Sequence, residues 1–394
     1  MLDLTKILAG PLCTQILADM GADVIKVEPH RGDDTRFWPP FQEGAGTIFL
    51  SVNRNKRSIA IDLKTRPGRE ICHMLCAGSD ILVESFGPGV AERLGIGWDV
   101  AQGLNPRLVY ASISGYGTEG PMREAKGYDL IAQAFSGMLA MTGQPGGAIA
   151  RSPFSPVDQA TGLNAVIAIL GALLQADATG RGVKVEASLF DSAVGLLGYM
   201  LQGFWLTGNE PQKRGSAHDS LCPYEAFETA DDPIILGIAN DALWAEFCEL
   251  AGRSEWKGDP RYATGAARVA HRQEVVDQVG AILRSRPRAH WLAVLEARNI
   301  PCSPVHNLGQ LTAHPHMAAS GMMLERDGFR TVASPFRAAG ERLPLRSAPP
   351  RVGEHGDAIL AELGLTEGEI GDLVRRGVVH LPPATPEKSE QPAN

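Results

Sequence analysis

The segment Pro11-Leu12-Cys13-Thr14-Gln15-Ile16-Leu17-Ala18-Asp19-Met20, followed across Gly21-Ala22 by Asp23-Val24-Ile25-Lys26-Val27-Glu28, decides how the first half of the chain is read. Apolar residues recur with helical spacing in the first part, and a short β-rich run follows, so a helix should lead directly into a strand. Two more such runs, Asp80-Ile81-Leu82-Val83-Glu84 and Leu108-Val109-Tyr110-Ala111-Ser112-Ile113, each have a helical stretch before or between them. Strands alternating with helices predict βαβ units and an α/β fold with a parallel sheet covered on both faces. Leu163 to Ala176 is apolar enough for a buried helix, and Lys184 to Leu189 reads as another strand. The opening Met1-Leu2-Asp3-Leu4 looks like a first strand cut short. Either the sheet tolerates a stub, or a few upstream residues are missing.

From about 210 the character changes. Pro223 to Glu228 and Ile234 to Ile238 predict a hairpin around Asp231-Asp232-Pro233, and helices are expected at about 242–252, 267–284 and 288–298. This describes a smaller α+β domain. Short strands return after about 320, then a helix near 356–375, and the Pro- and Glu-rich tail from Leu381 is expected to be disordered.

The length of 394 residues suggests two or three domains at roughly 150 residues each. With 44% hydrophobic and 21% charged residues, the composition is that of a globular protein. A net charge of -8 argues against nucleic acid or an anionic membrane as the main partner, since both demand clustered positive charge. No stretch approaches the ~18 uninterrupted apolar residues of a membrane helix. Six scattered cysteines and the lack of a secretory signal read as reduced thiols in a cytoplasmic protein.

No phosphate-binding loop and no dinucleotide fingerprint is present, which disfavours a dehydrogenase despite the parallel sheet. His314-Pro315-His316 has no third ligand nearby, so no metal is expected. Asp158 follows Pro156-Val157 and precedes a long apolar helix. Its ordinary role there is N-cap, and on these residues alone the cap is favoured over a nucleophile. Arg54, Lys56 and Arg57 form a basic patch beside a strand, whose plain meaning is a solvated loop. Arg93 and Lys126 are isolated and equally consistent with surface charges.

Several separated motifs, taken together, resemble the class III CoA-transferase family (the CaiB/BaiF type). They are Leu8-Ala9-Gly10-Pro11, Gly21 to Glu28, Asn53-Arg54-Asn55-Lys56-Arg57-Ser58, Phe86-Gly87-Pro88-Gly89, Ser114-Gly115-Tyr116-Gly117 and Asp158-Gln159-Ala160-Thr161-Gly162. Gly180-Arg181-Gly182 and Ile300 to Val305 extend the likeness to nearly the whole chain. The resemblance implies a Rossmann-like large domain from both chain ends (1–205 and 323–380), an inserted small domain (206–322) and two subunits interlocked as a homodimer.

It also implies that Asp158 is the catalytic aspartate, which overturns the N-cap preference. The implied coenzyme A contacts are Ile61, Lys64, Ser85, Phe86, Gly87, Arg93, Lys126 and Asp129. Pro29 and Leu8 depart from polar residues of other branches, and the latter speaks against formyl-CoA and oxalate. Racemases of this fold carry histidine in a Gly-His-Asp segment, where this chain has Gly127-Tyr128-Asp129. Without the imidazole, two-base proton exchange lacks a partner. An α-methylacyl-CoA racemase and a formyl-, oxalyl- or carnitine-type transferase remain as alternatives.

Gly32 to Phe41, Ser51 to Lys56 and Gly215 to Asp219 look most like the succinyl-CoA:glutarate branch. A dicarboxylate needs a cation for its distal carboxylate, for which Arg36 and Arg54 are the candidates and His218 a third. The expected partners are an acyl-CoA, a small carboxylic acid and a second copy of the chain. No cofactor is expected to be permanently bound.

Overall fold

The computed structural model describes residues 1–383. The tail expected to be disordered lies, from residue 384 on, outside the described residues. The chain divides into two compact units. The first comprises 1–136, 152–202 and the segment from Ala318 on; the second comprises 137–151 and 203–317.

The first unit is built on six parallel strands: Leu2–Leu4 (β1), Val24–Glu28 (β2), Lys56–Ile61 (β3), Ile81–Glu84 (β4), Val109–Ser114 (β5) and Lys184–Ser188 (β6). Their spatial order is β3-β2-β1-β4-β5-β6, and Val379–His380 adds an antiparallel strand outside β3. This is the doubly wound arrangement, in which strand order reverses between β1 and β4. β1 has three residues, all buried, yet it sits mid-sheet, Leu2 pairing Ile25 on one side and Leu82 on the other. A stub suffices because ladders on both flanks satisfy its backbone groups.

Side chains alternate across the strands and feed two cores. Leu2, Ile59, Leu82 and Tyr110 pack with Cys72 and Leu75 of Arg66–Ala77 and with Ile359 and Ile370 near the chain's end. Val83, Val109 and Ala111 pack on the opposite face with Ile16 and Leu17 of Ala9–Asp19 (α1) and Ile169 of Pro156–Thr179 (α2). The buried helix predicted over 163–176 therefore extends to 24 residues. It is long and apolar enough to cross a membrane by length and composition alone, at a mean hydropathy of 1.5. Its buried stripe of Ala165, Ile169 and Ala172 faces the sheet and α1, while Leu163, Ile167 and Leu174 are exposed.

One expectation fails at β3. The basic patch is not a solvated loop: Arg54 and Lys56 are buried, Lys56 as the first residue of the strand. The Lys56 ammonium donates to Asp3 Oδ2 (3.0 Å), the Pro11 carbonyl (2.9 Å) and Asn53 Oδ1 (2.9 Å), so all three donors are used. Asp3 also accepts from Thr5 N (2.9 Å), Thr5 Oγ1 (2.6 Å) and Thr14 Oγ1 (2.7 Å). Burial alone would push the Asp3 carboxyl up, but Lys56, Lys26 and the two threonines hold it down at about 2.

In the second unit Tyr224–Phe227 (β7), Ile234–Gly237 (β8) and Cys302–Pro304 (β9) form an antiparallel sheet with β8 central. The hairpin lies where expected, whereas β9 was not foreseen because three residues carry no periodicity. The helix expected at 267–284 breaks at His271 into Gly265–Ala270 and Arg272–Leu283. Residues 137–151, expected in the large domain, belong to this unit, where Lys213 Nζ donates to the carbonyls of Gly147 (3.1 Å) and Ala148 (3.0 Å).

Lys56→Ala would leave the Asp3 charge buried without its cation, and should destabilise the fold by about 3–5 kcal/mol in urea unfolding. Arg57→Ala, which removes surface pairs to Asp23 and Glu362, should change it by about 1 kcal/mol or less.

Candidate active site

In doubly wound sheets, ligands bind beyond the carboxyl ends of the strands, where the strand order reverses. A cavity of about 570 Å³ occupies that position here, within the range of small-molecule sites. Lys6 to Gly10 following β1, Glu84 at the end of β4 and Ser85 to Gly89 after it, Ser112 to Ser114 of β5 and the following Gly115, Lys126 to Tyr128, and Asp158 all line it. Two glycines bring the far walls together. A Cβ on Gly127 would stand 2.4 Å from Gly115 Cα, so the loops cross backbone to backbone.

Asp158 is the third residue of α2, after Pro156 in the first turn. Its side chain is not the cap. The helix is capped from elsewhere: Asp129 Oδ1 accepts from Val157 N (2.8 Å) and Asp158 N (3.1 Å), donors that the helix cannot satisfy itself. With its turn already capped, the Asp158 carboxylate is left to the cavity. Burial, and then the charge of Asp129, raise its pKa to about 7. One turn on, a Cβ at Gly162 would come within 2.7 Å of the Ala9 carbonyl, so only glycine lets this turn dock against the start of α1.

The expected coenzyme A residues divide. Ser85, Phe86, Gly87 and Lys126 line the cavity with Asp158. Ser85 Oγ accepts from Lys6 N (3.1 Å), joining the loops after β1 and β4. Exposed Arg93 lies at the rim, its guanidinium 3.1 Å from where a Gly89 Cβ would be. Ile61 points into the core and Lys64 is exposed; neither is on the lining. Asp129 is off the lining too, engaged as the α2 cap and with Gln133.

The two arginines expected to meet a distal carboxylate are already paired. Arg36, buried, is bidentate to Glu28 (2.9 and 2.7 Å), also donates to the Pro350 carbonyl (3.0 Å), and lies 3.6 Å from the centre of the Phe49 ring. Arg54 is bidentate to Asp19 (3.1 and 2.5 Å). Neither lines the cavity. His218 belongs to the second unit, where its Nδ1 accepts from Ser220 N (3.0 Å) and its ring meets Tyr224 edge-on.

The cations that do line the cavity are Lys6, Arg123, Lys126 and Lys184. Among the described residues, Lys126 alone of these has no ion-pair partner. Lys6, Arg123 and Lys184 were not singled out in the sequence because an isolated cation carries no pattern. Glu84 was missed as well: its buried carboxylate accepts from Ser112 Oγ (2.5 Å) and Phe86 N (2.7 Å), and burial raises its pKa.

The fold and cavity define a doubly wound α/β protein with a desolvated carboxylate in a cation-bearing pocket at the strand-order reversal. The chain belongs to CoA-transferase family III, whose model matches residues 1–356. It is 36% identical over 387 residues to succinyl-CoA:glutarate CoA-transferase of Homo sapiens, covering 96% of this chain and 88% of that one. It is 35% identical over 380 residues to succinate–glutarate CoA-transferase of Agrobacterium fabrum, covering 93% and 95%. A CaiB/BaiF family protein of Brucella suis superposes with a TM-score of 0.82 at 36% identity, covering 92% of this chain and 97% of that one. The protein is thus an enzyme that transfers CoA.

A raised carboxyl pKa means that the folded state binds this proton more tightly than the unfolded chain. Ionising Asp158 therefore removes stability as pH climbs from its ordinary 3.8 to about 7. Asp158→Asn should accordingly raise the Tm relative to the parent at pH 8 and leave it nearly unchanged at pH 4 in thermal scans.

Proposed function

We propose that the enzyme exchanges coenzyme A between succinyl-CoA and a glutarate-like dicarboxylic acid through a covalent intermediate on Asp158. The observation that carries this reading is the Asp158 carboxylate itself, desolvated, uncommitted to its helix, and lining the cavity at the strand-order reversal. Desolvation strengthens a carboxylate as a nucleophile by raising its basicity.

In this mechanism Asp158 attacks the thioester carbonyl of the donor, expelling the CoA thiolate and forming a mixed anhydride. The thiolate attacks the aspartyl carbonyl, releasing the donor as free carboxylate and leaving an aspartyl-CoA thioester. The acceptor carboxylate attacks that thioester, expelling the CoA thiolate again and forming a second anhydride. The thiolate then takes the acceptor's acyl group, and Asp158 is restored. The net reaction exchanges one thioester for another, so no ATP is needed. Every nucleophile is an anion, so no proton has to be moved.

The dicarboxylate preference draws support from the likeness to the two glutarate transferases and from the cavity's cations. Lys126 and Lys6 line the cavity and in this reading meet CoA phosphates or a distal carboxylate, whereas Arg36 and Arg54 are paired elsewhere. No histidine lines the cavity among the described residues, which favours transfer over two-base racemisation. A homodimer belongs to the proposal, supported by the uncovered apolar side chains Leu163, Ile167, Leu174, Leu196 and Tyr199.

The decisive assay mixes protein, succinyl-CoA and a panel of acids (glutarate, itaconate, mesaconate, malate, adipate, formate, oxalate, carnitine) and records each new acyl-CoA mass. A new dicarboxyl-CoA is expected, and Asp158→Ala should slow its formation by at least about a thousandfold while CoA still binds. Formyl-, oxalyl- or carnitinyl-CoA instead would overturn the specificity, and near-normal turnover by Asp158→Ala the mechanism. The kcat profile should fall on the acid side of about pH 7 as Asp158 gains its proton. In Asp129→Asn that limb should move to lower pH, because the like charge is gone.

A further inference from the structure

We infer that Asp33 is a positioning residue of the active site: its buried carboxylate holds the Ile7 amide, and with it the Ile7–Gly10 wall of the cavity, in a left-handed turn. The inference rests on the proposed chemistry at Asp158, which shares that cavity.

Ile7 has φ +72°, a region that a β-branched side chain enters only against steric repulsion and keeps only where its surroundings enforce it. Here the enforcement can be followed atom by atom. Thr5 N donates to Asp3 Oδ1 (2.9 Å), and the Thr5 carbonyl accepts from Lys26 Nζ (2.8 Å). Lys6 N donates to Ser85 Oγ (3.1 Å), and Ile7 N donates to both oxygens of Asp33 (3.4 and 3.3 Å). Leu12 N then binds the Leu8 carbonyl (2.8 Å) and α1 is under way.

Asp33 is well placed to anchor this turn. It is 3% exposed. Lys26 Nζ (3.2 Å), Thr35 N (3.0 Å) and Thr35 Oγ1 (2.8 Å) all donate to its carboxylate, and its own amide donates to Glu28 Oε1 (2.9 Å). The loops that follow β1 and β2 are thereby locked together. Ala9, two residues beyond Ile7, is the residue whose carbonyl the Gly162 turn of α2 packs against. A rotation at Ile7 would shift the wall against which the turn bearing Asp158 is docked.

The test compares Asp33→Ala, Ile7→Gly and the double variant in the succinyl-CoA exchange assay, with amide hydrogen exchange over residues 5–10. Asp33→Ala should lower kcat about 10- to 100-fold with the acyl-CoA KM within about threefold, and speed exchange in that loop. Adding Ile7→Gly should recover much of the lost kcat, measured against Ile7→Gly alone, since glycine takes the left-handed conformation without being held. Should Asp33→Ala fail to fold, Asp33→Asn keeps an acceptor for Ile7 N without the charge, and a smaller kcat loss is expected. An unchanged kcat, or a loss that glycine does not relieve, would overturn the inference. If the parent enzyme transfers no CoA, the proposed function falls, and loop protection in Asp33→Ala alone decides: unchanged exchange at residues 5–10 refutes the positioning role.

Discussion

The Lys56 ammonium binds the carboxylate of β1, the Pro11 carbonyl in the first turn of α1 and the asparagine ahead of β3, joining three segments at one buried point. Around it Lys26 meets Asp33, Arg36 meets Glu28, and Arg54 meets Asp19, every one of these side chains hidden from solvent. A buried charge without a partner is among the most destabilising features a protein can carry, so these pairs tolerate few alternative arrangements. Together they tie the loops at both ends of β1, β2 and β3 to the sheet, Arg54–Asp19 at the amino ends and Lys26–Asp33 and Arg36–Glu28 at the carboxyl ends.

Two aspartates of the first unit sit in opposite electrostatic environments. On the β1 side carboxylates are stabilised as anions, Asp3 being held at about 2. At the start of α2, partial burial and then the nearby charge of Asp129 move Asp158 to about 7. The same side-chain type is thus made inert at one end and basic at the other by its neighbours alone. Asp129 has two effects at once: it caps α2, freeing Asp158 from that duty, and its charge raises the basicity of the carboxylate it has freed.

The α/β class was legible because helical and strand periods alternate along the first half, and that alternation survives without any tertiary information. The positions of Ser85 to Gly87, Lys126 and Asp158 were legible through motif resemblance, and they share one cavity. The arginines were misjudged for a physical reason. A sequence shows where a guanidinium is, but not whether a carboxylate eight residues away (Glu28 for Arg36) or thirty-five away (Asp19 for Arg54) already occupies it. The same blindness made Lys56 look solvated and Asp158 look like its own helix's cap.

The local elements, the family and the segment that bears the candidate nucleophile could be read from the chain alone, since they depend on side chains close together in it. Tertiary structure alone decided which cations were free, which carboxylate was raised and which loop was strained. Each of those depends on burial and on partners brought together by the fold across long stretches of chain, as between Lys6 and Ser85 or Arg36 and Pro350.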